Sequence, residues 1–179
     1  FEFENQYAAT ASVITLAQML KITKQTTYGP NPVMVTFQNC DFRLQTWGVN
    51  NDWAYGFHVD GFAELHVRRS AVAAMAHAGG ANNGGIANVF YATGDNANAK
   101  TATIFAVNCE ITQSYAGTGG GSGNVSVCLV NNSANAVFGK CSVVKGGAAY
   151  RAIGTTGTNT VAGLAAGDSA TYGNLLGVD

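Results

Sequence analysis

The sequence predicts an all-β fold in which short strands coil into a parallel solenoid, each turn stacked on the one before. Three observations carry this. The composition suits sheets with an uncharged surface: of 179 residues 23 are Gly, only 2 are Pro, 11% are charged and 47% are hydrophobic. Globular domains usually spend about a quarter of their residues on charge, and such apolar content argues against disorder. Next, Val35-Thr-Phe-Gln-Asn-Cys-Asp-Phe-Arg-Leu-Gln45 and Ile104-Phe-Ala-Val-Asn-Cys-Glu-Ile-Thr-Gln-Ser114 set Asn-Cys-acid in the same alternating apolar frame. Finally, the frame recurs when Cys40, Ser70, Cys109 and Cys141 are placed in one column, at spacings of 30, 39 and 32 residues. Recurrence at such a period marks a repeat architecture.

The neighbouring columns keep step. After the first come Asp41, Ala71, Glu110 and Ser142, then Phe42, Val72, Ile111 and Val143. Three positions upstream stand Phe37, Val67, Ala106 and Phe138; five upstream stand Val35, Leu65, Ile104 and Ala136. The position just before the column, Asn39, Arg69, Asn108 and Lys140, is polar throughout. Apolar and polar positions alternate with period two, so each segment is a half-buried strand. Stacked coils about 4.8 Å apart would turn these columns into ladders, with Cys or Ser at a tight inward spot. The asparagines beside them are placed to stack amide on amide along the axis and to bond turn backbone.

Further strands are expected at Tyr55–Val59, Asn88–Thr93 and Val125–Val130, with a weaker unit in Tyr150–Ile153 and Thr160–Leu164. Loops such as Gly117–Gly123 make the spacing irregular, as insertions do on a solenoid. Two segments admit rival readings. Ser12–Lys21 is either a short capping helix or a strand entering the solenoid. Arg68–Gly79, Ala-rich with a terminal Gly, reads locally as a helix with a C-cap, whereas the column alignment makes it a strand as far as Ala73. The domain division is an N-terminal cap or entry segment over residues 1–32 and a single β-solenoid domain over 33–179. The chain opens at Phe1 with no Met and no signal-like segment, which suggests a processed product or a piece of something longer.

Several function classes lose support. Net charge is −1 and the nine basic residues are scattered apart from Arg68-Arg69, so the footprint of a nucleic-acid binder is missing. No run approaches the ~18 apolar residues of a membrane span. No cofactor motif occurs. Cysteine lacks any C-x-x-C or Cys/His zinc spacing, and an adjacent acid disfavours a thiolate. Cys40, Cys109 and Cys141, which share one inward column, therefore read as stacked, free, buried thiols, with a Cys128–Cys141 disulfide as the alternative.

Candidate chemistry lies on the polar faces. Asp41 with Glu110, and Asp60 with Glu64, are the carboxylate pairs a glycosidase would need at separations of about 5–9.5 Å. One intervening coil would hold Asp41 and Glu110 roughly 10 Å apart along the stack; two would separate them too far. Lyase chemistry would instead use a base beside a neutralised uronate, for which Arg68 and Arg69 are candidates. His58, Asp60, Glu64 and His66 have metal-ligand chemistry but read as surface residues of two strands, so no metal is expected. The binding cue is Trp47-Gly-Val-Asn-Asn-Asp-Trp-Ala-Tyr55: Trp47, Trp53 and Tyr55 could stack on sugar rings while Asp52 bonds hydroxyls.

The segments Val-Thr-Phe-Gln-Asn-Cys-Asp-Phe, Ile-Phe-Ala-Val-Asn-Cys-Glu-Ile and Gly-Phe-His-Val-Asp-Gly-Phe-Ala-Glu-Leu-His-Val resemble rungs of right-handed parallel β-helices, the pectate-lyase-like superfamily that includes bacteriophage tailspikes. The resemblance covers roughly residues 33 to 165 and is one of pattern, without a catalytic signature. It implies an extracellular or virion-surface module, a homotrimer, that binds a bacterial surface polysaccharide and, if enzymatic, cleaves it as a hydrolase or lyase. The alternative is a non-enzymatic decoration or adhesin-like module.

Overall fold

The computed structural model describes residues 2–6, 15–48, 52–78, 86–115, 126–145, 148–153, 158–164 and 173–174. Its strands are β1 (Glu2–Gln6), β2 (Thr15–Ile22), β3 (Val33–Gln38), β4 (Asp41–Gly48), β5 (Asp52–Asp60), β6 (Ala63–Arg68), β7 (Ala71–Ala78) and β8 (Ile86–Thr93). There follow β9 (Ala102–Val107), β10 (Glu110–Tyr115), β11 (Ser126–Asn131), β12 (Ala134–Gly139), β13 (Ser142–Lys145), β14 (Ala148–Ile153), β15 (Thr160–Ala162) and β16 (Gly173–Asn174). Every third strand pairs. Sheet A runs β1-β4-β7-β10-β13-β16, sheet B β14-β11-β8-β5-β2 and sheet C β15-β12-β9-β6-β3. All pairings are parallel except β13 with β16. Each coil therefore passes through sheets B, C and A in turn, which is a parallel β-helix.

The observed register is the one the columns predict. Asp41 pairs Ala71, Ala71 pairs Glu110, and Glu110 pairs Ser142. Val35, Leu65, Ile104 and Ala136 form one ladder on sheet C, and Phe37, Val67, Ala106 and Phe138 another. Pairing also extends upstream of residue 33, where β2 lies against β5 and β1 against β4.

Both helix readings are overturned. Thr15–Ile22 is a strand of sheet B and Ala71–Ala78 a strand of sheet A. Alanine prefers a helix by only fractions of a kcal/mol per residue. Here β7 lies between β4 and β10 and meets a ladder partner on both sides, which outweighs that preference. The Gly117–Gly123 loop lies outside the described residues.

The inner faces of all three sheets share one core. An aromatic chain runs along it. Phe37 and Phe57 each meet Phe42 with ring centroids 5.0 Å apart, Phe57 stacks on Phe90 at 5.8 Å, and Phe90 meets Phe138 at 5.6 Å. Phe57, Phe90 and Phe138 are fully buried. In sheet B, consecutive residues Val89-Phe90 and Val127-Cys128 all enter the core, and the ladder skips Gly56 between Tyr55 and Phe57. The strands bend there. A Cβ on Gly56 would lie 2.3 Å from the Val89 carbonyl oxygen, so only glycine fits.

The corner between sheets C and A explains the cysteines. Asn39, Arg69, Asn108 and Lys140 all have left-handed backbone, with φ of 57°, 47°, 54° and 52°. One residue in that conformation turns the chain sharply while the ladder continues. Asn39, Arg69 and Asn108 donate N–H to Arg68, Val107 and Gly139 carbonyls of the next coil at 2.8–3.1 Å. The following residue then reaches back two positions: Ser70 Oγ donates to Arg68 O at 2.7 Å, Cys109 Sγ to Val107 O at 3.4 Å and Cys141 Sγ to Gly139 O at 3.3 Å. Cys and Ser interchange because each is small and carries one donor. The amide stacking expected of Asn39 and Asn108 does not occur, since Arg69 occupies the coil between them. Their shared role is to tolerate positive φ, which Asn does better than most residues. All four cysteines are free, Cys128 and Cys141 included.

The opposite corner, between sheets B and C, is closed by a polar clamp. Asp95, only 4% exposed, receives Lys24 Nζ at 2.8 Å, the Tyr28 hydroxyl at 2.7 Å and Asn98 Nδ2 at 2.7 Å. These donors hold the Asp95 carboxyl well below the usual carboxylate range, and burial with the nearby Asp95 charge pushes Tyr28 up to about 12. Lys100 Nζ caps the Phe62 ring 4.4 Å from its centroid, a cation–π contact. The clamp joins residues 67 apart in sequence, and no pattern in the chain announces it.

Candidate functional site

Alternation on β6 and β9 sends every second side chain out of sheet C. Glu64, His66 and Arg68 thus stand in a line on the outer face of β6. His66 lies in register with Phe105 of β9, and their rings stack at 4.7 Å with planes 22° apart. Glu64 Oε2 meets His66 Nε2 at 3.1 Å, which orients the imidazole flat against the phenyl ring. The result is a half-buried pair of rings stacked face to face along the solenoid axis, with Glu64 bonded to the imidazole.

Next to it, at the corner between sheets C and A, is an open cleft of about 370 Å³ lined by Gln38, Arg68, Arg69, Val107 and Asn108. Gln38, Arg68 and Val107 form one ladder of sheet C; Arg69 and Asn108 are left-handed corner residues. Residues carrying two carboxamides, two guanidiniums and one apolar side chain therefore border a common space, whose wall is mainly apolar. These are the groups that hydrogen-bond hydroxyl and carboxylate oxygens.

Among the carboxylates, Asp41 and Glu110 are exposed and separated by Ala71 alone on sheet A, roughly 10 Å along the stack. Asp41 also meets Arg43 at 3.2 Å. Asp60 and Glu64 do not converge. Asp60 pairs with Thr93 on sheet B and Glu64 with Thr103 on sheet C, with the corner between them. Asp60 is half-buried and its pKa is raised by desolvation, which Lys21 and Lys24 oppose, while Glu64 is turned to His66.

His58 packs instead on sheet B. It stacks on Tyr91 at 4.4 Å and meets Gln18 Nε2 at 3.2 Å. Burial, aided by Lys21, lowers its pKa to about 4, so it is neutral at pH 7. No group of three or more metal-ligating side chains occurs among the described residues.

The aromatic cue divides. Trp47 belongs to β4 and Trp53 and Asp52 to β5, on different sheets, and the side chains of all three lie outside the described residues. Tyr55 is only 8% exposed and stacks on Tyr91 at 5.3 Å. Burial pushes its phenol up to about 12, so it offers no open face to a sugar. The pairing of His66 with Phe105 was not read from the sequence; Gln38 was not singled out, and Asn108 was read only as a polar corner residue. Yet the signal existed: Thr36, His66, Phe105 and Val137 are the outward column four positions before the cysteines. Comparison of the chain with protein-family models, with curated proteins and with solved structures returns no match.

Proposed function

We propose that this chain is an extracellular or virion-surface β-helix module that recognises a bacterial surface polysaccharide, as part of a homotrimer. The observation that carries this reading is the open cleft bordered by Gln38, Arg68, Arg69, Val107 and Asn108, beside the stacked rings of His66 and Phe105. A pyranose presents an apolar face that packs on apolar surface such as the wall of this cleft, and equatorial hydroxyls that bond amides and guanidiniums such as those carried by the residues around it. The sheet supports the cleft from beneath with the fully buried Leu65, Val67, Ile104 and Ala106, so little ordering is required on binding.

Cleavage is the further step of this proposal, with Asp41 and Glu110 as the pair. Their spacing falls near the upper end of the range for an inverting hydrolase. A purely structural virion or adhesin-like role is the second reading, favoured by the Arg43 contact that already engages Asp41.

Glycan-array binding of wild type against Phe105→Ala tests recognition. Loss of the Phe105 ring beside the cleft should weaken binding about fivefold, since an aromatic contact contributes ~1 kcal/mol. An array blank for the wild type would sink the recognition reading. Release of new reducing ends from bacterial capsular and O-antigen polysaccharides, abolished by Glu110→Gln, tests hydrolysis; no release from any of them leaves a binder or structural module. Sedimentation equilibrium at three times the chain mass tests the trimer.

A further inference from the structure

We infer that Cys109 and Cys141 form an oxidisable thiol pair, which hydrogen peroxide converts to a disulfide joining two adjacent coils. Nothing in this depends on polysaccharide binding.

Of the four cysteines only these two share a step of the stack. The column at the corner between sheets C and A reads Cys40, Ser70, Cys109 and Cys141, so the neighbour of Cys40 is Ser70, whose Oγ accepts the Cys40 N–H at 3.1 Å. Cys128 lies on β11, where its ladder partners are Phe90 and Tyr150. Cys109 and Cys141 are held in step from both sides. Asn108 N–H donates to Gly139 O at 2.8 Å, Ser142 N–H donates to Cys109 O at 2.9 Å, and Glu110 pairs with Ser142. Equivalent residues on neighbouring strands stand about 4.8 Å apart, inside the Cα separation of about 4.4–6.8 Å that a disulfide spans. The side chains also converge. Cys141 Sγ reaches back into the coil of Cys109, 3.3 Å from Ala106 O, and its thiol hydrogen-bonds the Cys109 sulfur. Closing an S–S bond therefore asks for side-chain rotation rather than for a rearranged backbone.

The two sulfurs have complementary chemistry. The bond from Cys141 lowers the Cys109 thiol to about 7 against the cost of burial, with backbone bonds adding to the effect, and the same contact pushes the Cys141 thiol up. Cys109 is the attacking thiolate and Cys141 the resolving thiol. Glu110, whose charge would oppose a thiolate, is turned out to solvent. Both thiols are only 2% exposed, which favours an oxidant little larger than water, and the cleft bordered by Val107 and Asn108 brings solvent to the residues just before Cys109. In the first step the Cys109 sulfur attacks one peroxide oxygen and the O–O bond breaks. The departing hydroxide takes up the thiol proton as water, leaving a sulfenic acid. The Cys141 sulfur then attacks the Cys109 sulfur and the S–O bond breaks, with hydroxide leaving as water on the Cys141 proton. Two thiols are oxidised to one disulfide, and one peroxide is reduced to two waters.

The test exposes the full native chain to hydrogen peroxide, alkylates the remaining thiols in denaturant, digests it and reads the peptides by mass. One peptide pair should be joined through Cys109 and Cys141, lighter by two hydrogens, and should separate on adding dithiothreitol. The cross-link spans 32 residues, so Tm should rise by roughly 5–15 °C. Cys109→Ser should abolish the cross-link and the rise, while keeping the fold because Ser70 fills the same place one coil before. Cys128→Ala should leave the cross-link intact. In Cys141→Ser the sulfenic acid meets no thiol, and dimedone should label Cys109. The inference is overturned if Cys109 and Cys141 are alkylated as fully after peroxide as before, or if the joined peptides carry Cys40 or Cys128 instead.

Discussion

Exchanging residues along the corner row should move stability in opposite directions. Asn39, Arg69, Asn108 and Lys140 share φ between 47° and 57°, and the first three donate equivalent backbone bonds to the next coil, so Asn39, Arg69 and Asn108 form a natural series in which only the side chain differs. The left-handed region costs an ordinary L-residue roughly 1–2 kcal/mol, and Asn is enriched there several-fold, about 1 kcal/mol. Arg69→Asn should therefore stabilise the protein by about 0.5–1 kcal/mol, and Asn108→Arg should destabilise it by the same amount. For a domain of this size each kcal/mol is worth about 2–4 °C in Tm. The assay is thermal unfolding by circular dichroism, with urea unfolding to confirm that the m-value is unchanged. The exchanged pair, Arg69→Asn with Asn108→Arg, should return close to wild type. A lower Tm for Arg69→Asn would refute the reasoning, because the corner would then be held by the arginine side chain rather than strained by it.

Three other outcomes follow from the geometry. Phe57→Ala should destabilise by about 3–5 kcal/mol, since Phe57 is fully buried and touches Phe37, Phe42 and Phe90; equilibrium unfolding measures it. His58 is neutral in the fold with its pKa lowered to about 4, so the unfolded chain binds an extra proton between pH 4 and about 6.5. That contribution is complete above pH 6.5 and is lost as pH falls toward 4, and His58→Gln should flatten the Tm profile across that window. Under native conditions a thiol reagent should modify only Cys40, which is partly exposed, while Cys109, Cys128 and Cys141 react after unfolding; Cys109→Ser should be tolerated because Ser70 already fills that role.

What the sequence determined by itself is the register. Side chains alternate with period two, and coils stack one residue upon its equivalent. The column through Cys40, Ser70, Cys109 and Cys141 therefore carries the whole ladder, from the buried Phe42, Val72, Ile111 and Val143 to the exposed Asp41 and Glu110. Strand against helix was harder. In Ala71–Ala78 the local preference of alanine points to a helix; the column alignment makes it a strand as far as Ala73, and the partners on β4 and β10, tens of residues distant, carry the strand on to Ala78. The candidate site was half legible. Arg68 and Arg69 stood out as the one pair of adjacent cations, whereas Phe105 and His66 looked like unrelated residues until two strands brought them face to face at 4.7 Å. The role of the corner residues was hidden for another reason. Positive φ is a property of backbone path, and Asn, Arg, Asn and Lys share no side-chain chemistry from which it could be read. The clamp on Asp95 was likewise decided in space alone, by a corner that brings Lys24 and Tyr28 of one coil against a buried carboxylate two coils away.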